Sequence, residues 1–326
     1  MVDLTSNVPA FPNPLADAMP ERIAPVPASP ETPRPTPTAP PRVLCRKIDT
    51  ADKEGVVNLL TRGFHPMRPR AFWDRAFDRL SGHPTPPGCP RHGYLLESGG
   101  TVVGAILLIF APARSADGTI GLRCNVSSWY VEPAFRIYGS ILITHALRRK
   151  DATYFNVTPA PHTLPLLAAQ GYAKYCSGRV FAAPVLSAGP RGARVEAVAP
   201  GIRPGADLDP FEVELLLAHE AYGCLSVVCV SAGQRYPFVF APRRKYGLVR
   251  FAFLIYCRGV ESFVRFAGPL GRFLARHGLP LVVLDANGPV RGLAGVYRGA
   301  NPKYFKGPVE PPLGDVAYSE RAMFGV

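Results

Sequence analysis

"WYVEPAFRIYGSILITHALRR", Trp129 to Arg149, reads as the end of a strand, a proline, a turn carrying an arginine and a glycine, and then a helix. A strand that enters such a turn leaves the first N–H groups of the following helix unpaired, pointing out past the carboxyl end of the sheet, and this makes an anion site. Gly139 lets a phosphate approach the backbone, and Arg136 offers it a planar fork of donors. A tight connection whose arginine pairs locally would read the same way, so the surrounding elements decide.

Upstream, "VLCRKI" (Val43 to Ile48) reads as a strand, followed by a helix with Thr50 as N-cap and Val56, Val57, Leu59 and Leu60 on one face. A second helix, "RAFWDRAFDRL", aligns Phe72, Trp73, Ala76, Phe77 and Leu80. "GYLLES" and "TVVGAILLIFA" flank Gly99-Gly100, a two-residue hairpin signal. "LRCNVSSWYV" is a third long strand and leads into the opening turn. Beyond the helix come a strand "ATYFNV", a short helix "TLPLLAAQ" ended by Gly171, and "YAKYCSGRVFAA" as one closing strand. The order β α α β β β α β α β excludes a plain doubly wound sheet. It predicts an α+β fold with one parallel crossover at the key turn.

Order and turn together resemble the GCN5-related N-acetyltransferase superfamily, whose signature is a strand ending near a proline and then [Q/R]-x-x-G-x-[G/A] opening a helix. Here the motif is Arg136-Ile137-Tyr138-Gly139-Ser140-Ile141, with Ile141 where the pattern has a small residue. The resemblance covers about Val43 to Ala183. It implies a mixed central sheet of acyl-CoA N-acyltransferase type, acetyl-CoA or another acyl-CoA as co-substrate, and an amine as acceptor. It also implies that the loop amides from Val131 through Ile141 hold the pyrophosphate. Pantetheine then lies between the strands Val126 to Val131 and Ala152 to Val157, where Asn156 can reach its amides.

The pattern recurs. "GIRPGADLDPFEVELLLAHEAYG" resembles the first strand and helix, with Asp209 as N-cap and Pro210 at the first helical position. "VEPAFRIYG" aligns with "VESFVRFAG" (Val260 to Gly268) at an offset of 129, which also places "TYFNV" over "VVLDA" and Lys174-Tyr175 over Lys303-Tyr304. These matches argue for an internal duplication: a GNAT-like domain over residues 42–186 and a degenerate second copy over 187–326. The second turn, Arg265 to Leu270, has lost an amide donor to Pro269, so the first copy is expected to bind the acyl-CoA and the second to shape the acceptor cleft.

Many members of the family use a Glu on the strand before the loop and a Tyr after the next strand. The strand here offers Cys124, Asn125, Ser127 and Ser128, and the usual Tyr position holds Leu167. The nearest substitutes are His162, at a helix start that favours a neutral imidazole, and Tyr172 or Tyr175. Glu132 and Glu261 read as partners of local arginines. "APRRKYG" (Ala241 to Gly247) reads as a solvated hairpin tip, or as a contact for an acidic acceptor or RNA.

Composition bounds the rest. The 326 residues are 47% hydrophobic, enough for two domains. Met1 to Pro41 carries twelve prolines and reads as a disordered tail. It holds two more acidic than basic groups, so the chain's +13 becomes +15 for the remainder. Such a surface attracts phosphorylated small molecules, nucleic acid or anionic membrane, and charge does not choose among them. The longest apolar run, Val102 to Ala113, is far short of the roughly 20 residues of a spanning helix. No secretory signal is visible, and the cytoplasm is the expected location. Seven cysteines without a CxxC pair and scattered histidines predict buried thiols and no metal. The leading expectation is an acyl-CoA-dependent N-acyltransferase. The rivals are a non-catalytic acyl-CoA-binding protein, suggested by the missing Glu and Tyr, and an aminoacyl-tRNA-dependent transferase of tandem type.

Overall fold

The described residues build two seven-stranded mixed sheets. In the computed structural model, residues 42–114, 118–245 and 249–325 are described. The expected tail over residues 1–41 lies outside them.

The first half runs β1 (Val43–Lys47), α1 (Lys53–Gly63), α2 (Arg70–Gly82), β2 (Gly93–Ser98), β3 (Thr101–Arg114), β4 (Ile120–Val131), α3 (Gly139–Ala146), β5 (Ala152–Asn156), α4 (Leu164–Ala169), β6 (Ala173–Cys176) and β7 (Gly178–Ala182). Gly99 and Gly100 both take positive φ, 55° and 75°, as a tight hairpin between β2 and β3 requires. The second half runs β8 (Arg194–Ala197), α5 (Pro210–Ala221), β9 (Leu225–Ser231), β10 (Gln234–Lys245), β11 (Val249–Cys257), α6 (Val260–Arg265), α7 (Ala267–Arg276), β12 (Leu281–Ala286), β13 (Gly295–Arg298), β14 (Lys303–Lys306) and α8 (Glu320–Met323). Asp209 caps α5 by accepting the Glu212 N–H at 3.1 Å, and Pro210 opens the helix. The α1 cap expected at Thr50 falls instead on Asp52, because Thr50–Asp52 forms a 3-10 turn ahead of the helix, with Asp49 as the cap of that turn.

The sheets share one plan. The first has the order β1-β2-β3-β4-β5-β14-β6 and the second β8-β9-β10-β11-β12-β7-β13. In each, only the fourth and fifth strands pair in parallel, β4 with β5 and β11 with β12. The sixth place in each sheet is filled from the other half of the chain: β14 sits between β5 and β6, and β7 between β12 and β13. "YAKYCSGRVFAA" is therefore two strands in two sheets, and residue 186 does not divide the sheets. The exchange also corrects one repeat match. Lys174 lies on β6 and Lys303 on β14, which hold different places in the common plan, whereas β5 and β12 hold the same one.

Three cores follow from side-chain alternation. Along β3, Ala105, Leu107, Ile109 and Ala111 face a central core, while Ile106, Leu108 and Phe110 face α3 and α4. Both faces are covered, so the strand reads as one apolar run. The central core joins both sheets through α1, α2, α5 and the C-terminal segment Val316 to Phe324. Helix α7 covers the far face of the second sheet with Leu270 and Leu274. Arg243, expected on a solvated tip, packs against the C-terminal segment and donates to the carbonyl of Arg321.

Candidate active site

The parallel pairing of β4 with β5 stops at Asn125 opposite Phe155, yet β4 continues to Val131. Two features drive the strands apart. A bulge opposite Ala105 to Leu107 holds Ser128 at φ 49°. The buried Asn125 amide then wedges the fork, donating to Phe155 O at 3.2 Å and to Val126 O at 3.1 Å. The result is a cleft of about 460 Å³ lined by Val126 to Trp129, Ile143, Asn156, Leu167 and Tyr172 on the first sheet's side, and by Arg179, Phe253, Glu320 and Arg321 on the other.

Glu320 is the group that sequence reading missed. The side chain of Asn125 accepts the Glu320 N–H at 2.6 Å, which anchors the start of α8 at the fork. Its carboxylate accepts from Ser127 Oγ and Thr158 Oγ1, and the residue is 5% exposed. Burial raises its pKa above the usual carboxylate range, against the lowering effect of those two hydroxyls. The carboxylate absent from β4 is thus supplied by a segment nearly 200 residues further along. The segment is fixed by His219, which is fully buried: Nδ1–H donates to Leu215 O at 2.8 Å and Nε2 accepts the Tyr318 N–H at 3.0 Å. Desolvation lowers the His219 pKa to about 4.

His162 lines the same cleft but is exposed at its rim, in the 3-10 turn before α4. Asn156 also lines it, with Oδ1 accepting the Thr158 N–H at 3.3 Å. Tyr172 and Tyr175 are buried, and desolvation raises both phenol pKa values. Glu132 pairs with Arg62 at 2.8 Å.

The opening turn has more regular structure than the sequence suggests. Pro133–Tyr138 forms a 3-10 helix running straight into α3, and the amides of Phe135 and Gly139 donate to Glu132 O and Arg136 O. Arg136, Ile137, Ser140 and Ile141 are exposed around it, Tyr138 is half-buried, and Val131 is buried beneath. A Cβ on Gly139 would stand 3.3 Å from the Trp129 ring, so packing is one reason for glycine there. Trp129 Nε1 is buried without a partner among the described residues. Trp129 lines the cleft together with Val126, Ser127 and Ser128, whereas Arg136 to Ile141, expected to hold a pyrophosphate, are not among its lining residues.

The corresponding places in the second half are filled by the chain itself. Pairing of β11 with β12 stops at Phe253 opposite Val283. On the edge this leaves, Cys257 N–H donates to Gly314 O at 2.9 Å and Val316 N–H to Ile255 O at 2.8 Å. Arg123 of β4 holds this strap through both Asp315 oxygens at 2.9 Å. The second turn is covered too, its Gly268 N–H donating to Ala188 O at 3.0 Å.

No protein-family model and no curated protein matches the sequence. Solved structures do match its fold. A GCN5-related N-acetyltransferase from Anabaena variabilis ATCC 29413 superposes with a TM-score of 0.54 at 13% identity, over 81% of this chain and 72% of that one. A Pyrococcus horikoshii protein gives 0.53 at 13%, over 85% and 93%. A GCN5-related N-acetyltransferase from Kribbella flavida gives 0.50 at 16%, over 81% and 71%.

Proposed function

We propose that this chain, built on a duplicated GCN5-related N-acetyltransferase fold, is an acyl-CoA-dependent N-acyltransferase with one working cleft, between β4 and β5, and Glu320 as its general base. The observation that carries the reading is the buried Glu320 carboxylate beside a strand edge that has no strand partner among the described residues. A structural carboxylate gains little from such burial, whereas a base whose pKa is moved toward neutrality by desolvation suits proton transfer.

The acyl-CoA lies on the α3 and α4 side, its amides along the β4 edge and its phosphates toward Arg136 and the turn. The amine enters from the side of the second sheet. Glu320 takes a proton from the ammonium form, and the freed nitrogen attacks the thioester carbonyl. A C–N bond forms, the C–S bond breaks and the thiolate leaves along the donor side. The nitrogen gives up its second proton and the thiolate takes one, so ammonium and thioester become amide, thiol and one released proton. Ser127 and Thr158 hold the carboxylate in place through this cycle. His162, at the rim, is a secondary candidate for passing that proton to solvent.

Thermal stability and turnover test this together. Acetyl-CoA at about 100 times its dissociation constant should stabilise the protein by roughly 2.7 kcal/mol, and Glu320→Gln should keep that shift while losing turnover. No shift with any acyl-CoA would overturn the donor site. A shift with unchanged turnover in Glu320→Gln would overturn the base.

A further inference from the structure

The acceptor side of the cleft holds more positive charge than its own groups neutralise. Arg321 is 3% exposed, lines the cleft, and its Nε has no hydrogen-bond partner among the described residues. Arg179 lines the same wall, and its Nε also lacks a hydrogen bond. Its approach to Asp285 is 3.8 Å, an ion-pair distance but too long for a hydrogen bond. The two guanidinium groups face one ring, that of Phe253, with Arg321 at 4.1 Å from the centroid and Arg179 at 5.5 Å. Asp285 is already engaged by Lys303, which is fully buried.

Charge counting then points to a ligand. Arg179, Arg321 and Lys303 face Asp285 and Glu320, which leaves one positive charge in a buried region even with both carboxylates ionised. Burial moves the Lys303 pKa down to about 8 and that of Arg179 to about 10, as expected where cations are short of counter-charge. A buried guanidinium with an unused N–H costs free energy unless something arrives to accept from it. The planar acceptor that matches a guanidinium fork is a carboxylate.

We propose that the acceptor is an amine bearing a carboxylate, held by Arg179 and Arg321 against Phe253 so that its amino group meets Glu320. This rests on the transferase reading above and narrows its substrate class. It also gives the exchanged strand a purpose: β7 carries Arg179 into a wall that the first half could not build alone.

The test measures binding as well as turnover, with matched probes: glutamate and β-alanine against their fully amidated forms, each with and without acetyl-CoA. Binding of the free acids should be at least roughly tenfold tighter than that of the amides. Arg179→Met should remove most of this preference, and Arg179→Lys should restore part of it. Acid-selective binding that depends on Arg179 but gives no product would sustain the acceptor site and reject the transferase reading. Equal binding of acids and amides, or no binding of either, would overturn the proposal. So would a preference for succinyl-CoA over acetyl-CoA with neutral amines that is lost in Arg179→Met, since the carboxylate would then belong to the donor.

Discussion

The forks between β4 and β5 and between β11 and β12 begin as the same object. In both, a bulge turns the fourth strand away from its parallel partner, opposite Ala105 to Leu107 in one sheet and opposite Val239 and Phe240 in the other. One fork then holds a side-chain wedge, Asn125, and stays open. The other is closed by Gly314 to Val316, and its turn is covered by Ala188. Duplication therefore kept the scaffold twice and the opening once. The open fork is faced across the cleft by Arg179 of the exchanged strand β7, by Phe253 of β11 and by Glu320 and Arg321 of the C-terminal segment.

Glu320→Gln should break the working fork most completely, lowering the chemical rate about 10²- to 10⁴-fold in single-turnover assays. It should not lower stability at pH 8. The folded pKa of Glu320 is raised, so its contribution is fully present below the unfolded value and is lost as pH rises through the folded one; the uncharged variant escapes that loss. A melting temperature at pH 8 well below wild type would contradict this.

Asn125→Leu keeps the branched outline, though it is bulkier, and leaves Phe155 O, Val126 O and the Glu320 N–H without their partner, at a cost on the order of 3 kcal/mol in urea unfolding. His219 tests the same segment by pH. Its folded pKa is depressed, so its stabilising effect is present above about pH 6.5 and is lost as pH falls toward 4, on the order of 3 kcal/mol in total. His219→Gln should flatten stability across that window.

Gly314→Ala attacks the closed fork. Gly314 sits at φ 91°, and an added Cβ would stand 2.7 Å from Cys257 Sγ. The strap should weaken by about 1–3 kcal/mol, seen as a lower melting temperature, while acetyl-CoA affinity stays unchanged. Smallest is Arg136→Glu, which should weaken acetyl-CoA binding roughly tenfold by removing one charge-assisted contact, measured by titration.

Local patterns carried much of this into the sequence. The Gly99-Gly100 hairpin, the Asp209-Pro210 helix start and the strand-turn-helix around Gly139 are written in adjacent residues. The strand exchange is not. Only Ser177 separates β6 from β7, and nothing nearby says that their partners lie about a hundred residues or more further on. Glu320 was hidden in the same way, because its role depends on hydrogen bonds to Asn125, Ser127 and Thr158 across the whole chain. Arg179 likewise read as one more residue of a closing strand. The 3-10 helix at the opening turn was missed because Arg136 and Gly139 permit both a loop and a tighter coil.

The central claim is that one fork, and only one, receives the donor. Calorimetric titration of the full chain with acetyl-CoA tests it most directly. One site per chain, abolished by a bulky Ser128→Trp substitution in the open fork and retained in Gly314→Ala, is the predicted result. Two sites per chain, or one site insensitive to Ser128→Trp, would contradict it.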